Sequence, residues 1–179
     1  TRFVLAARYD FIEAHAGAIC EFRVWDTARS QAEIQENMNH AIAGTQPGLL
    51  VSYALGESGS CLDRSGNGRH GTVHGSPAVV DPPSELNSGP ALKALEFDGK
   101  SDYIEVVHPL PFTTSVTLEM WTKGGENQPQ KSFIFYLTSG DNRRILSSHA
   151  PWDNGNLYFD GGQAIPTPGF DPSKFNRIS

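Results

Sequence analysis

Apolar residues in this chain come in short alternating runs, each cut off by glycine or proline. In Ile19–Trp25, positions Cys20, Phe22 and Val24 alternate with Glu21, Arg23 and Trp25; Leu49–Leu55 and Val116–Thr122 repeat the pattern. A period of two sends successive side chains to opposite faces of a strand. Eighteen glycines and twelve prolines spread over 179 residues supply turns between such strands. The expected fold class is therefore all-β, a two-sheet sandwich with one short helix. That helix is announced by Ser30-Gln31-Ala32-Glu33, a capping box in which the Ser30 hydroxyl and the Glu33 carboxylate each take the other's backbone N–H. Ile34, Met38 and Ala41/Ile42 continue one stripe, and Gly44 stands where a left-handed C-cap belongs. Further strands are expected at Arg2–Tyr9, Ser132–Leu137, Arg144–Ser148 and Asn156–Asp160. Leu95–Phe97 and Tyr103–Val107 read as a hairpin closed by Asp98-Gly99.

Charge removes several classes of function. Fourteen basic against twenty acidic groups leave a net charge of −6. Nucleic acid needs a basic stripe that displaces phosphate counterions, and an anionic membrane surface needs the same. No apolar run approaches the roughly 18 residues of a membrane span, so no membrane insertion is expected. Phosphate loops, nucleophile elbows, His-Glu-x-x-His and Cys-x-x-Cys are missing from the sequence. A retaining glycosidase needs two carboxylates about 5 Å apart. Glu96-Phe97-Asp98 begins such a pattern on one strand, but position 100 is Lys. No enzyme is expected.

Asp63-Arg64-Ser65-Gly66-Asn67-Gly68 places side-chain oxygens at i, i+2 and i+4 before a glycine, the opening half of a calcium loop. The Glu that closes an EF-hand is replaced by His74. Two readings stand: a shallow calcium site completed by backbone carbonyls and a remote carboxylate such as Asp98 or Glu57, or an Asx-turn without metal. Cys20 and Cys61 permit one disulfide in an oxidising compartment, closing a loop of about 40 residues; the alternative is two buried thiols. Trp25 and Trp121 share strand faces with charged neighbours and read either as a sugar platform or as packing under a sheet. Trp152, with Asp153 and Asn154 on a turn, is the expected exposed contact for a ligand or partner.

Four stretches together resemble the laminin G-like branch of the concanavalin A-like lectin/glucanase superfamily. Glu21-Phe22-Arg23-Val24-Trp25-Asp26 through Glu33-Ile34 is similar to that family's closing strand and helix. Leu49–Tyr53 and the run Asp63 to Gly71 are similar to its opening strand and "D-x-S-G-N-G" loop. Leu95-Glu96-Phe97-Asp98-Gly99, Asp102-Tyr103-Ile104 and Val116–Trp121 resemble "L-x-F-D-G-x-x-D-Y-I" and "V-T-L-E-x-W". Ser148–Asp160 resembles a strand pair of some members. The resemblance implies an antiparallel jelly roll. It implies a non-catalytic extracellular or cell-surface module for adhesion or structure, built from tandem domains that bind glycans, extracellular proteins or copies of themselves. A carbohydrate-binding appendage of a secreted glycan-active enzyme is the alternative. It also implies calcium, held by Asp63, Asn67 and His70. The order of the motifs implies two segments: 1–47 as the closing strand and helix of one domain, and 48–179 as the opening and central part of the next. The rival reading is one circularly permuted domain in which Ile19–Trp25 supplies the closing strand.

Overall fold

The alternating runs form strands, and their apolar faces meet across two antiparallel sheets. The computed structural model describes residues 2–42, 44–56, 61–86, 92–111, 115–125, 132–139, 141 and 143–148. For 149, 156–159, 163–166 and 176–178 it describes the backbone alone. The elements are β1 (Arg2–Leu5), β2 (Ala16–Trp25), α1 (Gln31–Asn37), β3 (Leu49–Tyr53), β4 (Thr72–His74), β5 (Ala78–Val80), β6 (Ala94–Asp98) and β7 (Tyr103–Val106). After them come β8 (Thr117–Gly124), β9 (Phe133–Thr138), β10 (Arg144–His149), β11 (Asn156–Phe159), β12 (Gln163–Pro166) and β13 (Asn176–Ile178). The first sheet runs β12-β11-β10-β9-β1-β7-β4. The second runs β13-β8-β2-β6-β5, with β3 also paired to β2.

Between the sheets lies one apolar cluster containing Phe3, Leu5, Phe22, Val24, Val51, Tyr53, Phe97, Ile104, Met120, Phe135 and Leu137. Phe3 meets Phe22 and Phe135 at ring separations of 6.1 and 5.6 Å, within the range of favourable tilted contacts. The two segments divided at residue 47 share this core. β1 pairs with β7 and β9, and β2 with β3, β6 and β8. The first two strands of the chain thus stand in the middle of the two sheets.

Three local expectations change. Parity grouped Cys20 with Phe22 and Val24. Instead Ile19, Phe22 and Val24 point into the core, while Cys20 joins a second cluster with Ala18, Trp121 and Leu92. The cause is a β-bulge: the register against β8 shifts between Cys20 and Arg23, and Glu21 sits at φ 49°. One extra residue there reverses the alternation. Next, β6 and β7 do not form a hairpin. β6 pairs in the second sheet and β7 in the first, so Asp98-Gly99 is a corner between sheets. The Asp98 carboxylate accepts from the N–H groups of Lys100, Ser101 and Asp102. Partial burial acts upward on its pKa, but those N–H bonds and the Ser101 hydroxyl outweigh it and hold the group down at about 2. Asp102, buried, ties this corner to the β4–β5 corner: its two oxygens accept from Ser76 N–H (2.8 Å) and Asp98 N–H (3.1 Å).

Finally, the capping box of α1 forms as expected, but the helix ends at Asn37 and not near Gly44. Its C-terminal carbonyls are taken by side chains of the sheet beneath. Arg23 donates to the Asn37 and His40 carbonyls, and Trp121 Nε1 donates to the Met38 carbonyl at 3.0 Å. These bonds do the work of a glycine cap. Gly44 keeps the left-handed conformation (φ 80°), but its N–H bonds the Arg64 carbonyl, joining the helix segment to the Asp63 loop.

Candidate functional site

Asp63 lies between β3 and β4, bridged to Tyr53, and is buried. Its Oδ1 accepts from Ser52 N–H (3.1 Å) and Ser65 N–H (2.9 Å), and its Oδ2 from Arg69 N–H (2.9 Å). Asp63 N–H in turn donates to His70 Nδ1 at 3.0 Å. Asn67 turns its amide inward, giving Nδ2–H to the Leu49 and Leu50 carbonyls. The loop is an Asx-type knot holding β3 to the segment before β4. Asp63, Asn67 and His70 thus gather in one loop, but each is committed to the fold's own hydrogen bonds. Asp98 serves the β6–β7 corner, with bonds to none of them. Among the described residues no group of three or more His, Cys, Asp or Glu is placed to hold a metal ion.

Cys20 and Cys61 are buried thiols not joined to each other, in different apolar clusters on either side of the second sheet. Burial raises the Cys61 thiol pKa well above its ordinary value, which keeps it protonated and unreactive. Trp152, Asp153 and Asn154, the expected contact turn, lie outside the described residues, as does Glu57.

Trp25 and Trp121 are buried beneath the α1 segment, so neither offers a bare face to a sugar. Around them lies a charge cluster on the outer face of the second sheet. Arg23, fully buried, reaches Glu21 at 2.8 Å and Glu119 at 3.5 Å, and Arg29 reaches Glu119 at 3.5 Å. Two arginines and two carboxylates balance, which is the condition for charges to be tolerated out of water. The Arg29 guanidinium lies over the Trp25 ring at 3.9 Å. Beside it opens a cleft of about 420 Å³, lined by Trp25, Arg29, Glu33, Asn37, Gln46 and Pro47 among others. The Trp25 indole N–H is buried there and meets no acceptor among the described residues. A donor left so costs about 1–3 kcal/mol.

A second feature escaped sequence reasoning. On the outer face of the first sheet, opposite the core, aromatic rings run from strand to strand. His74 on β4 stands directly across from Tyr103 on β7, stacked at 4.4 Å. The loop after β1 lays Phe11 on Tyr103 at 4.3 Å and Tyr9 on Tyr136 of β9 at 5.5 Å. Arg2 lies over Phe11 at 5.4 Å and pairs with Glu105 at 3.1 Å, and Arg8 pairs with Asp10 and Glu13. Tyr9, Phe11, His74 and Tyr103 are all part-exposed. The signal in sequence was parity alone: Tyr103 and Glu105 fall opposite Ile104 and Val106. Nothing local shows that β4, β7, β1 and β9 are neighbours. Set against known proteins, the chain matches no family model, no curated protein and no solved structure.

Proposed function

We propose that this chain is a non-catalytic, extracellular adhesion or structural module of the laminin G-like kind, which binds glycans or neighbouring protein chains. The observation that carries the reading is the aromatic row His74–Tyr103–Phe11 with its charged rim of Arg2, Glu105, Arg8 and Glu13. A pyranose ring has an apolar face and a polar edge, and the part-exposed edges of these stacked rings, flanked by carboxylates and guanidinium groups, offer both kinds of contact. His74 and Tyr103 stand on paired strands and Phe11 is stacked on Tyr103 from the loop after β1, so little ordering opposes binding. The net charge of −6 favours neutral glycans over sulfated ones.

The test is a glycan array probed with the wild-type chain and with Tyr103→Ala and Phe11→Ala. The expected result is binding to a subset of neutral glycans, weakened at least about tenfold in each variant, a loss of about 1.4 kcal/mol. Binding unaffected by both variants overturns the assignment of this face. Failure to bind any glycan or extracellular matrix protein overturns the reading itself.

A further inference from the structure

We infer that the cleft beside α1 is a second ligand site, separate from the aromatic face, and that it takes an uncharged, hydroxyl-rich group such as one sugar residue. The ligand class rests on the glycan reading; the site rests on the cleft's own chemistry. Its volume, about 420 Å³, lies within the range of about 300–1,000 Å³ usual for small-molecule sites.

Charge narrows the occupant. Glu21, Arg23, Glu119 and Arg29 cancel one another beneath the cleft, and exposed Glu33 adds a negative charge at its mouth. An anion is therefore repelled. A cation finds the Trp25 ring already covered by Arg29. A neutral group able to donate and accept at once avoids both conflicts. Trp25 supplies a buried N–H without an acceptor among the described residues, and Glu33, Asn37 and Gln46 supply planar carboxylate and amide groups around the opening. Hydroxyls meet both needs, since each donates one bond and accepts two.

The wall is also built to stay in place. α1 is fixed at its start by the Ser30–Glu33 capping box and at its end by Arg23 and Trp121. A site whose supporting side chains are locked by packing and hydrogen bonds needs little reorganisation to bind.

The experiment follows the indole N–H signals of the three tryptophans by two-dimensional NMR, with Trp25 identified by Trp25→Phe. The probes are methyl glucoside, methyl galactoside and methyl mannoside, each titrated to about 100 mM, a range suited to millimolar sites. Acetate and tetramethylammonium are the charged controls. The expected result is a saturable shift of the Trp25 N–H with at least one hexoside and with neither control. Gln46→Ala and Asn37→Ala should each weaken that response about threefold or more, while Tyr103→Ala leaves it unchanged. A Trp25 signal unmoved by every hexoside overturns the site, as does one moved by acetate instead. If glycans bind the chain and Tyr103→Ala alone abolishes it, the cleft proposal fails and the aromatic-face reading stands. If no glycan binds anywhere, both fail.

Discussion

His15 is completely buried, with its backbone N–H on the Ala6 carbonyl and its Nε2 3.4 Å from the Thr122 hydroxyl. Burial drives its pKa down to about 4; a hydrogen bond with the Lys123 backbone acts the other way and loses. In the unfolded chain the same ring titrates near 6.5. Between those two values the unfolded state holds more protons, so the stability this neutral ring contributes is complete above about pH 6.5 and is lost as pH falls toward 4. Urea unfolding across pH 4–7 should show that slope. His15→Gln should remove it, whatever the variant does to stability at pH 7. Asp63 makes the second residue-scale prediction. Truncation to Ala strands the amides of Ser52, Ser65 and Arg69. The expected loss is on the order of 3 kcal/mol, or about 6–12 °C in melting temperature for a chain of this size. EDTA should leave the wild-type melting temperature unchanged; a drop matching that of Asp63→Ala contradicts the hydrogen-bonded account of the loop. That Asp63 matters was legible from oxygen spacing and two following glycines. Which amides it holds was not, because Ser52 belongs to a strand eleven residues back.

At the scale of elements, α1 shows what local sequence can and cannot specify. Its start is written in four adjacent residues, and the capping box forms as spacing predicts. Its end is decided from outside, by Arg23 of β2 and Trp121 of β8, and no reading of residues 31–44 contains that information. The same holds for the Glu21 bulge and the Asp98 corner. Both depend on which strand lies alongside, and both reverse a pairing or facing that looked sound in isolation. The docking of α1 gives a prediction. Arg23→Met removes the guanidinium that pairs with both Glu21 and Glu119, and removes the donor to the Asn37 and His40 carbonyls. Breaking a buried charge pair from one side costs about 3–5 kcal/mol. Amide hydrogen exchange should accelerate first across residues 31–42, ahead of β2 itself. If protection in α1 survives the substitution, the carbonyl contacts are not what seats the helix.

For the whole molecule, the all-β sandwich was legible because strand parity and turn residues repeat along the chain. The order of strands within each sheet was not, since it rests on contacts such as Arg2 with Thr138. That order predicts that residues 48–179 alone do not fold. Without β1 the first sheet is cut between β7 and β9, and without β2 the second is cut between β8 and β6. The exposed edges invite association instead. A dispersed, monomeric NMR spectrum from the isolated 48–179 fragment would contradict this. Added peptide 1–47 should restore dispersion. The placement of β1 and β2 also has a consequence in time. During synthesis they emerge before their partners, since β8 starts some 92 residues after Trp25 and β9 later still. At about 5–20 residues per second that is a wait of roughly 5–20 s. For that interval β1 and β2 each lack at least one sheet neighbour, which is when a holding chaperone would have its longest opportunity to act.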